Sequence, residues 1–153
     1  MKRVIIEGFT YHVTSRTNNK IIAFEDEFNQ KVMLDILEAA KKKYNFLLHN
    51  FCIMPTHFHL LITPADGTNL SKIMHRIKVH SSKCWNYFNN SSGHLWGERF
   101  FSRPINGELD YFTVNEYIEQ NPVKAGFVKN PEDWNASGAY HRANKLFQLL
   151  AAA

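Results

Sequence analysis

Two consecutive apolar segments near the middle of the chain place the strongest constraint on its fold. Residues 46–54 and 57–63 are rich in β-forming side chains, and Pro55 interrupts the run between them. Proline has no backbone N–H to give to a sheet, so it marks a boundary between strands rather than the interior of one. The two segments are therefore predicted to be two separate strands.

The segments on either side of these strands alternate between strand and helix patterns. A first strand is predicted over residues 9–15. A helix is predicted from about Asp26, with three lysines in its last turn, where they suit the helix dipole. A long amphipathic helix over residues 69–88 and a fourth strand over residues 100–105 follow.

The last predicted helix covers residues 108–120. It stops before Pro122, because the residue before a proline is pushed away from helical geometry. The preceding order, β-α-β-β-α-β, is that of a ferredoxin-like split β-α-β sheet. We therefore predict one α+β domain over residues 1–153, with an antiparallel sheet, helices on one face and an added C-terminal helix.

Apolar residues at helical spacing predict which side of each long helix faces the core. In the first helix these are Phe28, Val32, Met33, Ile36, Leu37 and Ala40. In the second they are Leu70, Ile73, Met74, Ile77, Cys84, Trp85 and Phe88. The other side of the second helix carries a basic stripe, formed by Lys72, Arg76, His80 and Lys83. Such a stripe is typical of a solvated face, and equally of a surface that follows a phosphate backbone.

Composition favours a folded protein with an anionic partner. The chain is 44% hydrophobic and carries a formal net charge of +4, with a sequence pI of about 9.1. Nucleic acid is favoured over a membrane, since no basic amphipathic stretch has an exposed apolar face and no run has the length of a membrane span. Lys2-Arg3 is followed by only three apolar residues, so no leader peptide is predicted. Cys52 and Cys84 form no CxxC pair, which favours reduced, buried thiols and a cytoplasmic location.

A pair of histidines lies within the third predicted strand. His57 and His59 flank Phe58, and alternation along a strand places both imidazoles on the same face. Two neutral imidazoles in this arrangement can bind one divalent metal if a third ligand comes from elsewhere. A His-x-His tripeptide alone is more often a pair of structural or surface histidines, so the interpretation depends on the rest of the chain.

The last predicted helix offers a nucleophile and a ligand together. Tyr117 and Asn121 are four residues apart and therefore share one helix face. A tyrosine hydroxyl and an amide oxygen would then be presented side by side. Gln120, one residue off this face, is the alternative third ligand.

Four motifs in order give the chain a specific resemblance. They are Tyr11-His12-Val13-Thr14-Ser15-Arg16, Met54-Pro55-Thr56-His57-Phe58-His59-Leu60-Leu61, Gly93-His94-Leu95-Trp96-Gly97-Glu98-Arg99-Phe100, and Tyr117-Ile118-Glu119-Gln120-Asn121-Pro122-Val123-Lys124-Ala125-Gly126. With them the chain resembles the single-tyrosine transposases of the HUH class (His, hydrophobic residue, His), in the branch associated with repetitive extragenic palindromes (REP). Two positions depart from that pattern: Thr56 stands where the family usually has Asn, and Ser137-Gly138 replaces a serine pair. Neither is predicted to touch a proposed ligand or the nucleophile.

The resemblance implies a metal-dependent endonuclease and strand transferase. Mg²⁺ or Mn²⁺ would be held by His57, His59 and Asn121, because hard oxygen ligands beside imidazoles suit these ions. Tyr117 would form a covalent 5′-phosphotyrosine and release a 3′-hydroxyl. The implied substrate is single-stranded DNA beside a hairpin, and the protein would act as a monomer or as a homodimer that swaps the tyrosine helix.

Basic and aromatic residues are candidates for contacts with that DNA. The candidates for backbone contacts are Arg16, Arg76, Arg99, Arg103 and Lys124. Trp96 can stack on a base, although a packing role is favoured. Of the remaining histidines, only His12 is a further site candidate, because its strand should lie beside the strand of His57 and His59.

Two other functions remain open from the sequence. Metal-free cyclic phosphodiesterases and ligases use two His-x-Thr or His-x-Ser motifs, and His12-Val13-Thr14 fits one of them. His59, however, stands where the second motif requires Thr or Ser. The other alternative is a nucleic-acid-binding domain that has lost its chemistry.

Overall fold

The computed structural model describes residues 8–151 and confirms the predicted α+β fold. Its four strands are β1 (Tyr11–Arg16), β2 (Leu47–Met54), β3 (His57–Thr63) and β4 (Phe101–Pro104). They form one antiparallel sheet in the order β2-β3-β1-β4, which is the split β-α-β arrangement. The segment that bears on a leader peptide, residues 2–6, lies outside the described residues.

The four α-helices are α1 (Glu27–Tyr44), α2 (Leu70–Phe88), α3 (Gly107–Lys124) and α4 (Gly138–Ala143). Short 3-10 turns cover Asn18–Lys20 and Pro131–Asp133. Asp26 caps α1 by accepting a hydrogen bond from the Asn29 backbone, and Asn69 caps α2 in the same way through Ser71. No helix of the described residues is long and apolar enough to cross a membrane.

The two faces of the sheet are covered by different helices. α1 and α2 pack on one face, where Val13, Phe58 and Leu60 are fully buried against them. The added helix α3 covers the other face, where Val114 and Ile118 meet Leu61. Alternation along each strand therefore sends half of its side chains toward α3.

The predicted inward faces of the long helices are wrong at two aromatic positions. Phe28 is 54% exposed and Phe88 is 51% exposed, and their rings meet edge to face at 4.9 Å near the helix ends, away from the sheet. Gln30, which has no place in the apolar pattern, is buried instead and donates to the Phe24 carbonyl at 3.0 Å. Cys52 is buried as expected, and Cys84, also a free thiol, is only partly buried.

The predicted end of the tyrosine helix is also wrong, because α3 continues through Pro122 to Lys124. Pro122 lies in the last turn and is buried, so its ring removes only the one hydrogen bond that its missing N–H would have made. The helix ends at Lys124, and two residues later Gly126, with φ of +80°, turns the chain away from the helix axis. Gly126 N donates to the Val123 carbonyl, and Phe127 N donates to the Pro122 carbonyl, both at 3.0 Å, which is a Schellman motif.

The segment after α3 pairs with the outer edge of β2. Ile53 N donates to the Ala136 carbonyl at 2.8 Å, and the Trp134 indole donates to the Ile53 carbonyl at 2.9 Å. Nearer the end of the chain, Ala151 N donates to the Leu48 carbonyl at 2.8 Å. The chain thus covers the β2 edge from two directions.

A buried polar cluster seats α3 on β2. Asn50 is fully buried, and its amide donates to Asn115 Oδ1 at 3.0 Å and to Glu119 Oε1 at 3.2 Å. Arg142 of α4 forms an ion pair with the same Glu119 oxygen. Gly138 packs so closely here that an added Cβ would overlap Asn50 Oδ1.

Candidate active site

The two histidines of the His-x-His pair both face α3, as the strand alternation predicted. His59 is 2% exposed and His57 is partly buried, and their rings lie 5.1 Å apart and nearly perpendicular. Across the sheet, His57 is opposite Arg16 and His59 is opposite Thr14 in β1. The pair therefore lies on a central strand of the sheet, on the face that α3 covers.

Tyr117 projects from α3 onto this surface. Its ring centroid lies 5.6 Å from that of His59 and 5.9 Å from that of His12, in both cases edge to face. The side chain is 47% exposed, so a substrate can reach the hydroxyl. His59, His12 and Tyr117 are within one chain in this structure.

His12 is part of the same cluster. Its Nε2 lies 3.0 Å from His59 Nδ1, and the Thr14 hydroxyl lies 3.1 Å from the same nitrogen. When His59 carries its proton on Nδ1, either group can accept it, and the lone pair of Nε2 is then free for a metal. The sequence indicated His12 as a further site candidate but did not identify its contact with His59.

Asn121 is the residue of the tyrosine helix that reaches His57. Its Nδ2 donates to the Tyr117 carbonyl at 3.0 Å, and its side chain also forms a hydrogen bond with His57. Gln120 is turned by about 100° around the helix from Asn121. The Thr56 hydroxyl lies 3.3 Å from His57 Nδ1, so the expectation that Thr56 touches no proposed ligand is wrong.

Burial keeps the three imidazoles neutral. Desolvation, reinforced by the neighbouring imidazoles and Arg16, lowers the pKa of His59 to about 3. Desolvation and the Arg16 charge lower the pKa of His57 to about 4, while its hydrogen bond with Asn121 opposes the shift. For His12, desolvation and the Arg103 charge lower the pKa to about 4, against the opposing charge of Asp110. The neutral ring is the form that binds metals.

These residues fit a metal with oxygen-rich coordination. No group of three His, Cys, Asp or Glu side chains in residues 8–151 is arranged to hold a metal. The two imidazoles of the pair are neutral and adjacent, and Asn121, on the tyrosine helix, lies close enough to His57 to oppose the lowering of its pKa. Three neutral donors with further positions left open suit Mg²⁺ or Mn²⁺ with water and phosphate oxygens as the remaining ligands.

Three of the predicted DNA-contacting residues surround the tyrosine. Arg16 is exposed at the end of β1, and Lys124 Nζ lies 5.6 Å from the centre of the Tyr117 ring. Arg103 lies opposite His12, but both of its terminal nitrogens bind Asp110, at 2.8 and 3.0 Å. That ion pair and the Asn106 backbone lower the pKa of Asp110 to about 2. Binding of phosphate by Arg103 therefore competes with Asp110.

The other two predicted contacts lie away from the tyrosine. Arg76 is on α2, on the far side of the sheet, where it lines a second groove with Lys72 and His80. Arg99 is exposed in the segment before β4. Trp96 is a packing residue, as favoured: it is 6% exposed and its indole donates to Ser81 Oγ at 2.9 Å.

A split β-α-β sheet carrying two histidines under a helix-borne tyrosine is the arrangement that the HUH single-tyrosine class implies. The sequence matches the family model described as "Transposase IS200 like" over residues 6–121. The chain belongs to this transposase family, whose members are enzymes that act on DNA.

Individual relatives agree with the family. A REP-associated tyrosine transposase of Escherichia coli K12 is 28% identical over 144 residues, which cover 92% of this chain and 82% of that protein. A Haemophilus influenzae protein provisionally given the same name is 26% identical, over 88% of this chain and 78% of its own. The solved structure of a REP-associated tyrosine transposase bound to a REP hairpin has a TM-score of 0.79 and 23% identity, covering 100% of this chain and 91% of the other. The resemblance stated from the four motifs is thus confirmed.

Proposed function

We propose that this transposase nicks single-stranded DNA beside hairpins and transfers the cut strand through a covalent 5′-phosphotyrosine on Tyr117. The observation that carries the proposal is the position of Tyr117, half exposed and with its ring 5.6 Å from that of His59. Metal binding by His57, His59 and Asn121 belongs to the same proposal.

The nucleophile is the Tyr117 hydroxyl. Its oxygen attacks the scissile phosphorus, the bond between phosphorus and the 3′-oxygen breaks, and the leaving oxygen takes up a proton from water. The phenol proton is lost to solvent, which reaches this side chain. Because the phosphoester is conserved in the covalent intermediate, another 3′-hydroxyl can reverse the step and join a new strand.

The neighbouring side chains orient the reacting groups. His59 is held by His12 and Thr14, while Asn121 links the tyrosine helix to His57. Lys124 Nζ lies near the Tyr117 ring and Arg16 lines the same groove as Tyr117, so both supply positive charge to the site. A divalent cation bound by His57, His59 and Asn121 would supply Lewis acidity at a non-bridging phosphate oxygen.

The relatives and the shape of the site support the proposed substrate class. A structural relative was solved with a REP hairpin, and two sequence relatives carry REP in their names. In this chain the tyrosine opens onto a groove of about 490 Å³ between α3 and the strands β1 and β4. A groove of this size favours one flexible strand over a rigid duplex, and we propose that the hairpin stem binds outside it.

The first test replaces the nucleophile. Tyr117→Phe removes one hydroxyl from a half-exposed side chain, so folding is expected to be unchanged while cleavage and covalent attachment to the 5′ end of the cut strand disappear. The assay is denaturing electrophoresis with a labelled hairpin that carries single-stranded flanks. Tyr111→Phe is the matched control, because Tyr111 lies on the same helix but packs against His49, 5.5 Å between ring centres. A covalent adduct formed by Tyr117→Phe would show that Tyr117 is not the nucleophile.

The second test addresses the metal. We expect EDTA to abolish cleavage, Mg²⁺ or Mn²⁺ to restore it, and calorimetry to show Mn²⁺ binding that His57→Ala eliminates. Asn121→Ala should weaken Mn²⁺ binding less, since a water can replace one oxygen ligand. Circular dichroism checks that each variant is folded.

The same experiment separates the alternatives. The side chains of His12 and Thr14, which form one His-x-Thr motif, both face His59. A metal-free phosphodiesterase would need a first motif arranged in this way. Cleavage that is unchanged in EDTA would favour that enzyme. Hairpin binding without cleavage under any metal would favour a binding domain that has lost its chemistry.

A further inference from the structure

One aromatic side chain at the rim of the active-site groove takes no part in the chemistry proposed above. Phe101 opens β4 and lies opposite Thr14 in β1, while Arg103, two residues on, lies opposite His12. Directly opposed residues of an antiparallel pair share a face of the sheet. Phe101 therefore stands on the same face as His59 and Tyr117.

Phe101 is 63% exposed even though it belongs to the sheet. The groove that it lines also holds charged and polar side chains, among them Arg16, Tyr117 and Arg103 with its partner Asp110. Its apolar ring thus forms part of one wall of the groove, and α3 forms part of the other. A flat aromatic surface beside fixed positive charges is the combination that binds a base and its phosphate together.

The distance across the sheet suits one nucleotide. Only β1 separates β4 from β3, so the backbones that carry Phe101 and His59 are about 10 Å apart. A phosphate held beside His57 and His59 can therefore place a base joined to it through its sugar toward Phe101. Arg16 is exposed and lies opposite His57, so its side chain can contact the DNA backbone between that phosphate and the base.

We propose that Phe101 is a stacking platform for a nucleobase next to the scissile phosphate, and so helps to set the cleavage position. This inference rests on the proposed single-strand chemistry and adds a base-binding subsite to it. Stacking on an aromatic side chain tolerates any base, so the platform fixes register along the strand more than it selects sequence.

The test measures binding without cleavage. All variants are made in the Tyr117→Phe background, and the probe is a REP hairpin with single-stranded flanks, titrated by fluorescence anisotropy. Phe101→Ala should weaken binding about 5- to 150-fold, the range of one base-aromatic stack, whereas Phe101→Trp should retain it. Phe112→Ala is the matched control, because Phe112 is 59% exposed on α3 but does not line the groove.

A series of probes with one abasic site each locates the stacked base. At one position beside the cleavage point, removing the base should weaken binding by the protein that keeps Phe101, by the same factor as the Phe101→Ala substitution. The same abasic site should weaken binding by Phe101→Ala little further. Equal binding of Phe101→Ala and its parent, or an abasic penalty that is identical in both proteins at every position, would overturn this inference alone. Failure of every variant to bind the hairpin would overturn the proposed function as well.

Discussion

His59 shows how much one side chain in this site depends on its neighbours. It is the most buried of the three site imidazoles, and two groups of β1 meet its Nδ1. The tripeptide pattern predicted that His57 and His59 share a face, because alternation is a local property of a strand. The contact between His12 and His59 was not predictable in the same way. It depends on the pairing of β1 with β3, which places His12 opposite Leu61 and hence diagonal to His59.

The lowered imidazole pKa values predict how stability changes with pH. In the native protein His57 and His12 have pKa values of about 4, and His59 about 3, against an ordinary value of 6.5. Between pH 4 and 6.5 the unfolded chain therefore binds more protons than the native one, so the free energy of unfolding falls as the pH is lowered through this window. Urea unfolding of the metal-free protein should give a lower midpoint at pH 5 than at pH 7.

His12→Gln provides the control for this prediction. The variant loses one of the shifted groups and keeps a hydrogen-bond donor and acceptor, so its midpoint should fall less between the two pH values. A midpoint for the parent protein that is the same at pH 5 and pH 7 would contradict the assignment of neutral, buried imidazoles.

At the scale of elements, the tyrosine helix illustrates what local sequence rules can and cannot give. Its start near Glu108 and the shared face of Tyr117 and Asn121 follow from periodicity alone. Its end does not, because the rule for the residue before a proline states a preference of the isolated chain. Burial of Pro122 and the glycine stop at Gly126 outweigh that preference. The hydrogen bonds from Asn50 to α3 also join residues that are 65 and 69 positions apart in the sequence, so no local pattern reveals them.

The polar seat of α3 can be tested by removing Asn50. Asn50→Ala leaves Asn115 and Glu119 without a buried donor, so the free energy of unfolding should fall by about 1–3 kcal/mol. Lys31→Ala is the comparison, since its exposed ion pair with Asp35 should contribute less than about 1 kcal/mol. Both are measured by urea unfolding at pH 7. Equal stability of Asn50→Ala and the parent would show that apolar packing alone seats the helix.

At the scale of the whole molecule, positive charge lies on two opposite surfaces. Arg16 and Lys124 are beside the tyrosine, whereas Arg76 lies on α2 beyond the sheet, in a groove with Lys72 and His80. The sequence predicted this basic stripe on α2 but left open whether it is only a solvated face. In the structure the stripe, on α2, and Tyr117, on α3, belong to helices that pack on opposite faces of the sheet.

Substitution of Arg76 tests whether that second surface binds DNA. If it contacts one phosphate, Arg76→Gln should weaken hairpin binding and reduce the slope of log affinity against log salt by about one, with cleavage of saturating DNA unchanged. Lys31→Gln, which removes a charge on the neighbouring helix, should leave the slope unaltered. An unchanged slope in Arg76→Gln would show that the basic stripe is only a solvated face.

The pairing of the C-terminal segment with β2 has a consequence for how molecules meet. An open strand edge is a template on which a second chain can add a strand. Here the outward-facing backbone groups of Ile53 and Leu48 are already hydrogen-bonded to Ala136, Trp134 and Ala151. A chain cut before Trp134 would lose these bonds and expose an unpaired edge beside an apolar strand. Residues 134–151 are therefore expected to guard against aggregation, and through the ion pair of Arg142 with Glu119 they also support α3.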